Sequence, residues 1–275
     1  MVLKALRRGD TGEAVEQWQQ FLIGLEILQD IADGKFGEIT ETATKQYQAS
    51  KGLEADGIVG SGTYAKALED GFDGVVVEQD FPPKPNFPPI LNTSARQALF
   101  GSFNFQPDPV PRNKEQIKIL GNWTQENISS VLIPELQGIA GAPASGKIAF
   151  HLAADPQLKG LWAAWKAKDL LKFVLTFDGG FVPRFIRGSN SALSNHAFGS
   201  AFDINYQWNK LGQTPAAVGK EGSVRLLVPV ANDYGFYWGG HFNNRKDGMH
   251  FEVAKILKEA EIQELANKYG LVKTM

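Results

Sequence analysis

The most informative absence in this chain of 275 residues is cysteine, of which there is none. Disulfides, thiolate zinc fingers and cysteine nucleophiles are therefore excluded, although a chain without cysteine can exist in either redox compartment. Charge of one sign is also lacking, since 28 Lys and Arg stand against 30 Asp and Glu, for a formal net charge of −2. This balance offers no basic excess to nucleic acid and no polybasic tail to a membrane surface, so we expect neither partner.

Long hydrophobic runs are missing as well. No apolar stretch approaches the roughly 20 residues that span a bilayer. Residues 1–8 lack the apolar region and small-residue cleavage site of a secretory signal. We therefore expect no membrane insertion, synthesis in the cytoplasm without a recognisable signal peptide, and export by another route if the substrate lies outside.

Residues 1–70 contain an internal near-repeat. Residues 33–40 and 56–63 both read D-G-x-[FV]-G-x-x-T, 23 residues apart. An Asp-Gly pair favours a tight turn because glycine takes positive φ without a Cβ clash. Each turn leads into a helical pattern, and an earlier apolar stripe has helical spacing. The members of that stripe are Val15, Trp18, Phe21, Leu22 and Leu25. The sequence therefore predicts a small N-terminal bundle of three helices.

This N-terminal stretch resembles the peptidoglycan-binding domain found in many wall hydrolases. The resemblance covers nearly all of residues 3–69 and depends on a set of motifs rather than on one. The matching residues are Gly9-Asp10-x-Gly12-x-x-Val15, Gln19-x-x-Leu22, Phe36-Gly37-x-x-Thr40, Tyr47-Gln48, Gly52-Leu53 and Asp56-Gly57-Ile58-Val59-Gly60-x-x-Thr63. It implies that residues 1–70 dock on bacterial peptidoglycan. A helical bundle with another partner is the alternative.

Residues 71–95 are predicted to form a linker. Five of the nine residues from 81 to 89 are prolines. Proline fixes φ and removes a hydrogen-bond donor, so this segment should be extended and fairly stiff.

Residues 96–275 mix helical and strand patterns. Helices are indicated around residues 158–165 and over residues 256–269. Strands are indicated over residues 172–177 and 249–253. The predicted fold class is therefore α+β, with the small helical bundle followed by a domain built on a mainly antiparallel sheet.

Two of the four histidines lie in segments rich in other functional groups. His196 precedes Asp203 by seven residues, and His250 follows Asp247 by three. Hydrolytic zinc sites commonly take three imidazole or carboxylate ligands and leave one position for water. His196, Asp203 and His250 supply such a set. A nearby carboxylate can take the proton of the water, with Asp247 as the candidate and Glu252 as the fallback. Spacing alone leaves a structural role open for each histidine.

Residues 194–203 match S-x-H-x-x-G-x-A-x-D at every fixed position. This motif resembles the signature of the zinc D-alanyl-D-alanine carboxypeptidases and L-alanoyl-D-glutamate endopeptidases, the family that includes the vancomycin-resistance dipeptidases and many phage endolysins. The downstream Asp247-x-x-His250 resembles the second motif of the endopeptidase branch. Carboxypeptidase and dipeptidase relatives tend to carry Glu-x-x-His there. The resemblance implies one Zn²⁺ held by His196, Asp203 and His250, with Asp247 as the base.

The family also uses an arginine upstream of the first motif to stabilise the developing oxyanion. Arg184 and Arg187 are the candidates in this chain. We expect Arg187 to take this role because it is closer to the loop that carries His196, with Arg184 as a substrate contact.

Three further side chains are candidate substrate contacts. Ser194 is expected to hydrogen-bond near the metal or to steady its loop, with a turn or cap as the alternative. Trp238 and His241 lie in a segment of aromatics and glycines that suits a groove for an extended peptide. Core packing for Trp238 and an exposed loop for His241 are the alternatives.

Together the two resemblances predict a zinc metallopeptidase that hydrolyses peptide bonds in the stem peptides of bacterial peptidoglycan. The Asp-x-x-His form favours an L-alanoyl-D-glutamate endopeptidase, and a D,D-carboxypeptidase that removes terminal D-Ala is the alternative. The alternative of another class is a non-catalytic zinc-containing wall-binding protein. The related signalling domain of Hedgehog proteins also contains zinc, and its metal site need not indicate peptidase function. The expected setting is the cell wall or periplasm, reached at phage lysis or by specialised secretion. An antibacterial effector of the second kind would have an immunity protein as a partner.

Overall fold

The computed structural model describes residues 5–72, 81–243 and 245–271, and the chain divides into two compact units, residues 1–81 and 82–275. Residues 73–80 of the predicted linker lie outside the described residues. None of the helices in these ranges is long and apolar enough to cross a membrane.

The first unit is the predicted bundle of three helices, which is confirmed. Its helices are α1 (Glu13–Gly24), α2 (Glu38–Ser50) and α3 (Ser61–Glu69). Trp18 is fully buried at the centre, where rings from the other helices surround it. Its edge-to-face partners are Tyr47, Tyr64 and Phe72, with centroid separations of 5.6 to 6.1 Å. Burying aromatic rings of this size supplies most of the stabilisation of so small a unit.

In each copy of the near-repeat, the repeated residues bond to the side chain of one buried glutamine. Gln19 donates to Asp33 Oδ1, to the Lys35 carbonyl and to Thr40 Oγ1, each at 3.0 Å, and accepts from the Gly34 amide at 2.8 Å. Gln48, which follows Gln19 by 29 residues, repeats these contacts with the second copy of the motif. It donates to the equivalent Asp56, Ile58 and Thr63 and accepts from Gly57. The repeated residues of the motif are therefore the partners of one amide group, which holds the turn to the preceding helix.

The second unit contains helices and short antiparallel strands joined by 3-10 turns. Its helices are α4 (Thr93–Phe100), α5 (Trp123–Asn127), α6 (Asp155–Ala167), α7 (Val228–Asp233) and α8 (Glu259–Lys268). Its strands are β1 (Asn104–Pro107), β2 (Ile117–Leu120), β3 (Ile128–Leu132), β4 (Lys147–His151), β5 (Phe177–Gly179), β6 (Ala201–Ile204), β7 (Phe236–Trp238) and β8 (His250–Val253). The predicted α+β class with antiparallel sheets is confirmed.

The central sheet has the strand order β5-β6-β8-β7, and all its pairs are antiparallel. Alternation along β6 and β8 gives the sheet one apolar and one polar face. Phe202 lies opposite Phe251, and their rings stack at 5.5 Å. Trp162 and Trp165 of α6 pack against this aromatic pair. The apolar face thus anchors the two strands, which leaves the other face to carry polar side chains.

The strand predicted over residues 172–177 is wrong for most of its length. Leu171–Phe173 is a 3-10 turn, and the strand begins only at Phe177. The amides of Leu175 and Thr176 donate to the side-chain oxygen of Asn205 instead of to a neighbouring strand. The Asn205 side chain therefore takes the place of the strand-to-strand backbone hydrogen bonds that the β-branched and aromatic residues predicted.

Residues 82–92, which we term the proline strap, pack against the second unit. Three side chains bind successive strap residues: His241 Nε2 at the Pro82 carbonyl, Asn232 Nδ2 at the Pro83 carbonyl, and Asn243 Oδ1 at Lys84 Nζ. The Ile90 amide donates to Glu252 of β8 at 3.2 Å. The strap is therefore a part of the second unit and not a free spacer.

Candidate metal centre

The polar face of the central sheet brings two candidate ligands together. Asp203 of β6 lies directly opposite His250 of β8 in the antiparallel register. His196 comes from the 3-10 turn Asn195–Phe198 just before β6. Ser194 caps this turn, since its hydroxyl accepts from the His196 amide at 3.3 Å. The structure thus gives Ser194 the cap role that the sequence analysis held as the alternative.

The glycine of the first motif is required by space as well as by conformation. Gly199 ends the turn at a φ of 63°, in the left-handed region. A Cβ atom there would lie 2.6 Å from Ile128 Cδ1 and 3.2 Å from the His151 amide nitrogen. The H-x-x-G-x-A-x-D spacing is therefore the length of a tight turn that leads from His196 into the strand carrying Asp203.

Three ligand atoms converge at the end of this arrangement. His196 Nε2 lies 3.1 Å from His250 Nδ1 and 3.2 Å from Asp203 Oδ1, and the last two atoms are 2.9 Å apart. Ligands of a tetrahedral zinc ion at 2.0–2.1 Å are about 3.3 Å from one another. The three atoms could therefore hold one metal ion.

The outer nitrogens of both imidazoles are already bonded. His196 Nδ1 donates to the Gly180 carbonyl at 2.7 Å, and His250 Nε2 donates to Glu252 Oε2 at 3.2 Å. These bonds set the tautomer in which the inner nitrogens carry lone pairs. Carbonyl and carboxylate partners of this kind orient metal-binding histidines in known sites. The donor set therefore fits zinc.

Electrostatics also favours a cation at this point. Burial opposes the charged form of His250, but hydrogen bonds to Asp203 and Glu252 prevail and raise its pKa to about 10. Burial alone would raise the pKa of Asp203, yet the charge and hydrogen bonds of His196 and His250 hold it well below its usual range. A proton and a metal ion therefore compete for the same place between the side chains.

Asp247 lies beside the three ligands, in a cleft of about 610 Å³ that Asp203 and His250 also line. Its Oδ1 is buried and has no hydrogen-bond partner among the described residues. Burial raises the pKa of Asp247, and the Asp203 carboxylate adds to this effect, while His250, His196 and Arg184 oppose it. A carboxylate with an unused oxygen and a raised pKa is suited to accept and return a proton.

The two candidate arginines have different surroundings. Both line the cleft. Arg184 is half-buried, and its charge interacts with those of Asp203 and Asp247. Arg187 donates to Glu115 Oε2 and to Asn113 Oδ1, both at 2.7 Å, in an exposed position. Of the two arginines, Arg184 is therefore the one whose charge acts on the ligand Asp203 and on Asp247, whereas Arg187 is paired with Glu115.

Trp238 takes the core position that the sequence analysis left as the alternative to a groove, whereas His241 is neither a groove residue nor an exposed loop residue. Trp238 is fully buried and donates to the Gly248 carbonyl at 2.7 Å, below the loop that carries Asp247. His241 is also buried, and its Nε2 contacts the Pro82 carbonyl of the proline strap. Trp238 supports the second motif from beneath, and His241 anchors the strap, so neither presents its ring to the cleft.

Sequence reasoning missed two residues that border the ligands. Arg96 and Asn195 are both buried, and Arg96 Nε donates to Asn195 Oδ1 at 2.8 Å. Asn195 in turn donates to Glu252. The position of Asn195 inside the first motif was a signal, but Arg96 lies 99 residues upstream of it and had none.

Two segments of the chain match known families. Residues 187–253 match a family model described as D-alanyl-D-alanine carboxypeptidase, and residues 11–66 match one described as a peptidoglycan binding domain. The zinc D-Ala-D-Ala carboxypeptidase of Streptomyces albus G is 41% identical over 66 residues, which cover 23% of this chain and 26% of that protein. The chain thus spans about a quarter of the length of the curated relative that it matches.

Two solved structures are also similar to parts of the chain. The SleB N-terminal domain is 30% identical, covering 24% of this chain and 92% of that chain, with a TM-score of 0.24. A peptidoglycan-binding protein from Clostridioides difficile, in complex with glutamine hydroxamate, is 36% identical and covers 23% of this chain and 40% of that chain, with a TM-score of 0.23.

A His-Asp-His set on the polar face of an antiparallel sheet, with a buried carboxylate beside it, could hold one metal ion next to a proton acceptor. Residues 187–253 are similar to the D-alanyl-D-alanine carboxypeptidase family, and residues 11–66 are similar to a peptidoglycan-binding family. Both family resemblances stated from the sequence are thereby confirmed.

Proposed function

We propose that this protein is a zinc peptidase that hydrolyses peptide bonds in the stem peptides of bacterial peptidoglycan. The observation that carries the proposal is the convergence of His196 Nε2, Asp203 Oδ1 and His250 Nδ1 within 3.2 Å of one another, next to Asp247. The two family matches support it, since both point to the same polymer.

Each residue of the cleft has a defined task in this proposal. When bound by His196, Asp203 and His250, zinc supplies Lewis acidity that brings the pKa of water from 15.7 to about 7. Asp247 takes the proton of the attacking water and returns it to the leaving amine. Its raised pKa makes the return of the proton easier than it would be from an exposed aspartate.

For the developing negative charge on the scissile carbonyl we propose Arg184 in place of Arg187. Both arginines line the cleft with Asp203 and Asp247, but Arg187 is engaged by Glu115, whereas the charge of Arg184 interacts with those of the two aspartates. A guanidinium remains charged in a protein even where burial lowers its pKa, as it does for Arg184. A substitution of Arg184 should therefore lower kcat more than a substitution of Arg187.

The first unit is proposed to dock on peptidoglycan through an open groove. The groove, of about 840 Å³, lies between residues 26–29, which follow α1, and one face of α2 along its length, with Ile27 and Ile39 among its apolar lining. Ile39 is 59% exposed, so it contributes contact surface without being needed by the core. Docking would raise the local concentration of substrate without changing the chemistry.

The bond that is cut distinguishes two proposals within this function. The Asp247-x-x-His250 motif supports an L-alanoyl-D-glutamate endopeptidase. The names of the matching family model and of the relative from Streptomyces albus G support a D,D-carboxypeptidase.

Digestion of purified peptidoglycan, with and without a chelator, tests the proposal when the products are read by mass spectrometry. Chelator-sensitive release of fragments with a new L-Ala carboxyl group and a new D-Glu amine would establish the endopeptidase. Chelator-sensitive loss of single D-Ala residues would establish the carboxypeptidase. Bound zinc and wall binding without any cleavage would instead support the non-catalytic wall-binding protein.

A further inference from the structure

Glu252 connects the metal centre to two other parts of the second unit, the turn that carries Asn195 and the proline strap. It lies on the same face of β8 as His250 and is only 2% exposed. Its Oε2 accepts from His250 Nε2 at 3.2 Å and also from Asn195 Nδ2. Its Oε1 accepts from the Ile90 amide of the proline strap at 3.2 Å. A carboxylate buried to this degree needs donors on both oxygens to remain charged.

Arg96 of α4 completes this network from the other side. Its side chain is buried, with Nε donating to Asn195 Oδ1 and Nη2 donating to the Ile90 carbonyl, both at 2.8 Å. Its positive charge interacts favourably with that of Glu252. The guanidinium therefore holds the same two groups, Asn195 and Ile90, that donate to Glu252.

We propose that Arg96 is a positioning residue of the metal centre, acting through Asn195 and Glu252 on His250. This inference rests on the proposed zinc site. Arg96 lies in the N-terminal part of the second unit, outside both sequence motifs. The inference means that this part of the chain helps to set the geometry of a metal ligand.

The direction of each hydrogen bond follows from the arginine. A guanidinium has donors only, so the Asn195 amide must turn its oxygen toward Arg96 and its NH₂ group toward Glu252. Glu252, held by these donors, accepts a hydrogen bond from His250 Nε2. His250 Nδ1 then faces Asp203 Oδ1 and His196 Nε2 and is the ring nitrogen that a metal ion would take. Without Arg96 the amide could rotate, and the tautomer of His250 would lose one of its determinants.

A purely structural role for Arg96, as an anchor of α4, makes a different prediction. It would affect thermal stability but not the metal. Gln157 offers a matched control, because it is equally buried and bonds to Tyr234, Lys255 and Leu257 rather than to Glu252 or to a ligand. Loss of Gln157 should therefore destabilise the fold to a similar degree and leave the metal site intact.

The experiment compares Arg96→Met with Gln157→Met in the full chain. Zinc affinity is measured by competition with a chromogenic chelator, and ligand geometry by the visible absorption of the cobalt-substituted protein. We expect Arg96→Met to weaken zinc binding by about 10- to 100-fold, as for other partners of metal-binding histidines, and to change the cobalt spectrum. Gln157→Met should lower the Tm but keep the wild-type affinity and spectrum.

Two results would overturn the inference. One is an Arg96→Met protein that binds zinc as tightly as the wild type with the same cobalt spectrum. The other is an equal loss of affinity in Gln157→Met, which would trace the effect to general stability. A wild-type protein that binds no zinc would overturn the proposed function itself, and with it this inference, so the two failures are distinguishable.

Two further measurements keep the inference testable if Arg96→Met does not fold. Arg96→Lys retains the buried charge but not the planar fork of donors, so it should fold and bind zinc less tightly than the wild type. Unchanged affinity in that variant would contradict the role of Arg96. In the wild type, the ¹⁵N shifts of the His250 ring should show a proton on Nε2 and zinc on Nδ1. The opposite assignment would exclude the network as drawn.

Discussion

The two units each contain a buried polar cluster, and the clusters differ in how their donors and acceptors are matched. Around Gln19 and Gln48, every polar atom of the amide meets a complementary atom of a turn. In the second unit, the donors of His196 and His250 point outward to Gly180 and Glu252. Their inner nitrogens and Asp203 Oδ1 then face one another within 3.2 Å.

The difference separates polar groups that stabilise a fold from polar groups that bind something. A cluster in which donors and acceptors pair is complete by itself and can only hold a turn in place. A cluster in which three acceptors converge requires a proton or a metal ion among them. The comparison therefore predicts that substitutions in the first cluster affect folding, and that substitutions in the second affect zinc and catalysis.

The largest effect should come from His250→Ala. Apparent zinc-binding free energies of about 10–16 kcal/mol, shared among the three ligands, assign roughly 3–5 kcal/mol to each, or about 10²- to 10⁴-fold in affinity. We expect loss of peptidoglycan hydrolysis and loss of stoichiometric zinc, read by metal analysis after gel filtration. The unfolding of the first unit should be unchanged. A variant that retained one zinc ion per chain would contradict the ligand assignment.

Asp247→Asn should separate zinc binding from turnover. The amide cannot take a proton from water, so kcat should fall by about 10²- to 10⁴-fold. Zinc content should stay at the wild-type level because Asp247 is outside the group of three ligands. The assay is release of soluble fragments from purified wall, with Asp178→Asn as a control that alters another carboxylate lining the same cleft. Full activity in Asp247→Asn would remove it as the base.

Gln19→Met and Gln48→Met should destabilise the first unit and leave zinc affinity unchanged. Each substitution strands a buried Gly amide and several acceptors, at a cost of about 1–3 kcal/mol. Urea unfolding followed by tryptophan fluorescence measures the loss, since Trp18 lies in this core. Gln20→Met on the exposed side of α1 is the matched control and should have little effect. Equal stability of Gln19→Met and the control would show that the near-repeat is not held by its glutamine.

The smallest effect concerns His151, which supports the fold without touching the metal. Burial lowers the pKa of His151, and its Nδ1 accepts from the Ala153 amide at 3.1 Å. The unfolded chain, with a pKa near 6.5, takes up the proton first as the pH falls. The contribution of neutral His151 to the free energy of unfolding is therefore complete above pH 6.5. Below pH 6.5 it is lost, by at most about 1.4 kcal/mol per pH unit.

His151→Gln tests this pH dependence. In chelator-treated protein, the free energy of unfolding should fall less between pH 7.5 and pH 5.5 in the variant than in the wild type. The other histidines titrate in both proteins, so their contribution cancels in the comparison. Identical slopes would mean that His151 is not kept neutral by the fold.

The sequence predicted those parts of the molecule in which residue type and spacing carry the chemistry. Residue type made His196, Asp203 and His250 candidate ligands because zinc accepts few side chains, and the resemblance of residues 194–203 to a family signature singled them out. The near-repeat predicted two turns for a similar reason. Arg96 could not be found in this way, because its role depends on a contact made across 99 residues.

Errors arose where one composition serves two environments. Trp238 in a run of aromatics and glycines looks the same whether it lines a groove or packs below a loop. Residues 172–177 have the composition of a strand, yet the side chain of Asn205 satisfies their amides. In both cases a tertiary partner decides the outcome, and local patterns do not reveal that partner.

The proline strap has a practical consequence for anyone who exchanges the first unit for another domain. The predicted linker suggests a fusion joint near residue 95, six residues after the last proline of the run. A chimaera joined there would lose the Ile90 amide from Glu252 and the Ile90 carbonyl from Arg96. A joint placed before Pro82 keeps both. The prolines therefore belong to the cassette that carries the zinc ligands, and the interchangeable part of the chain ends earlier than its composition suggests.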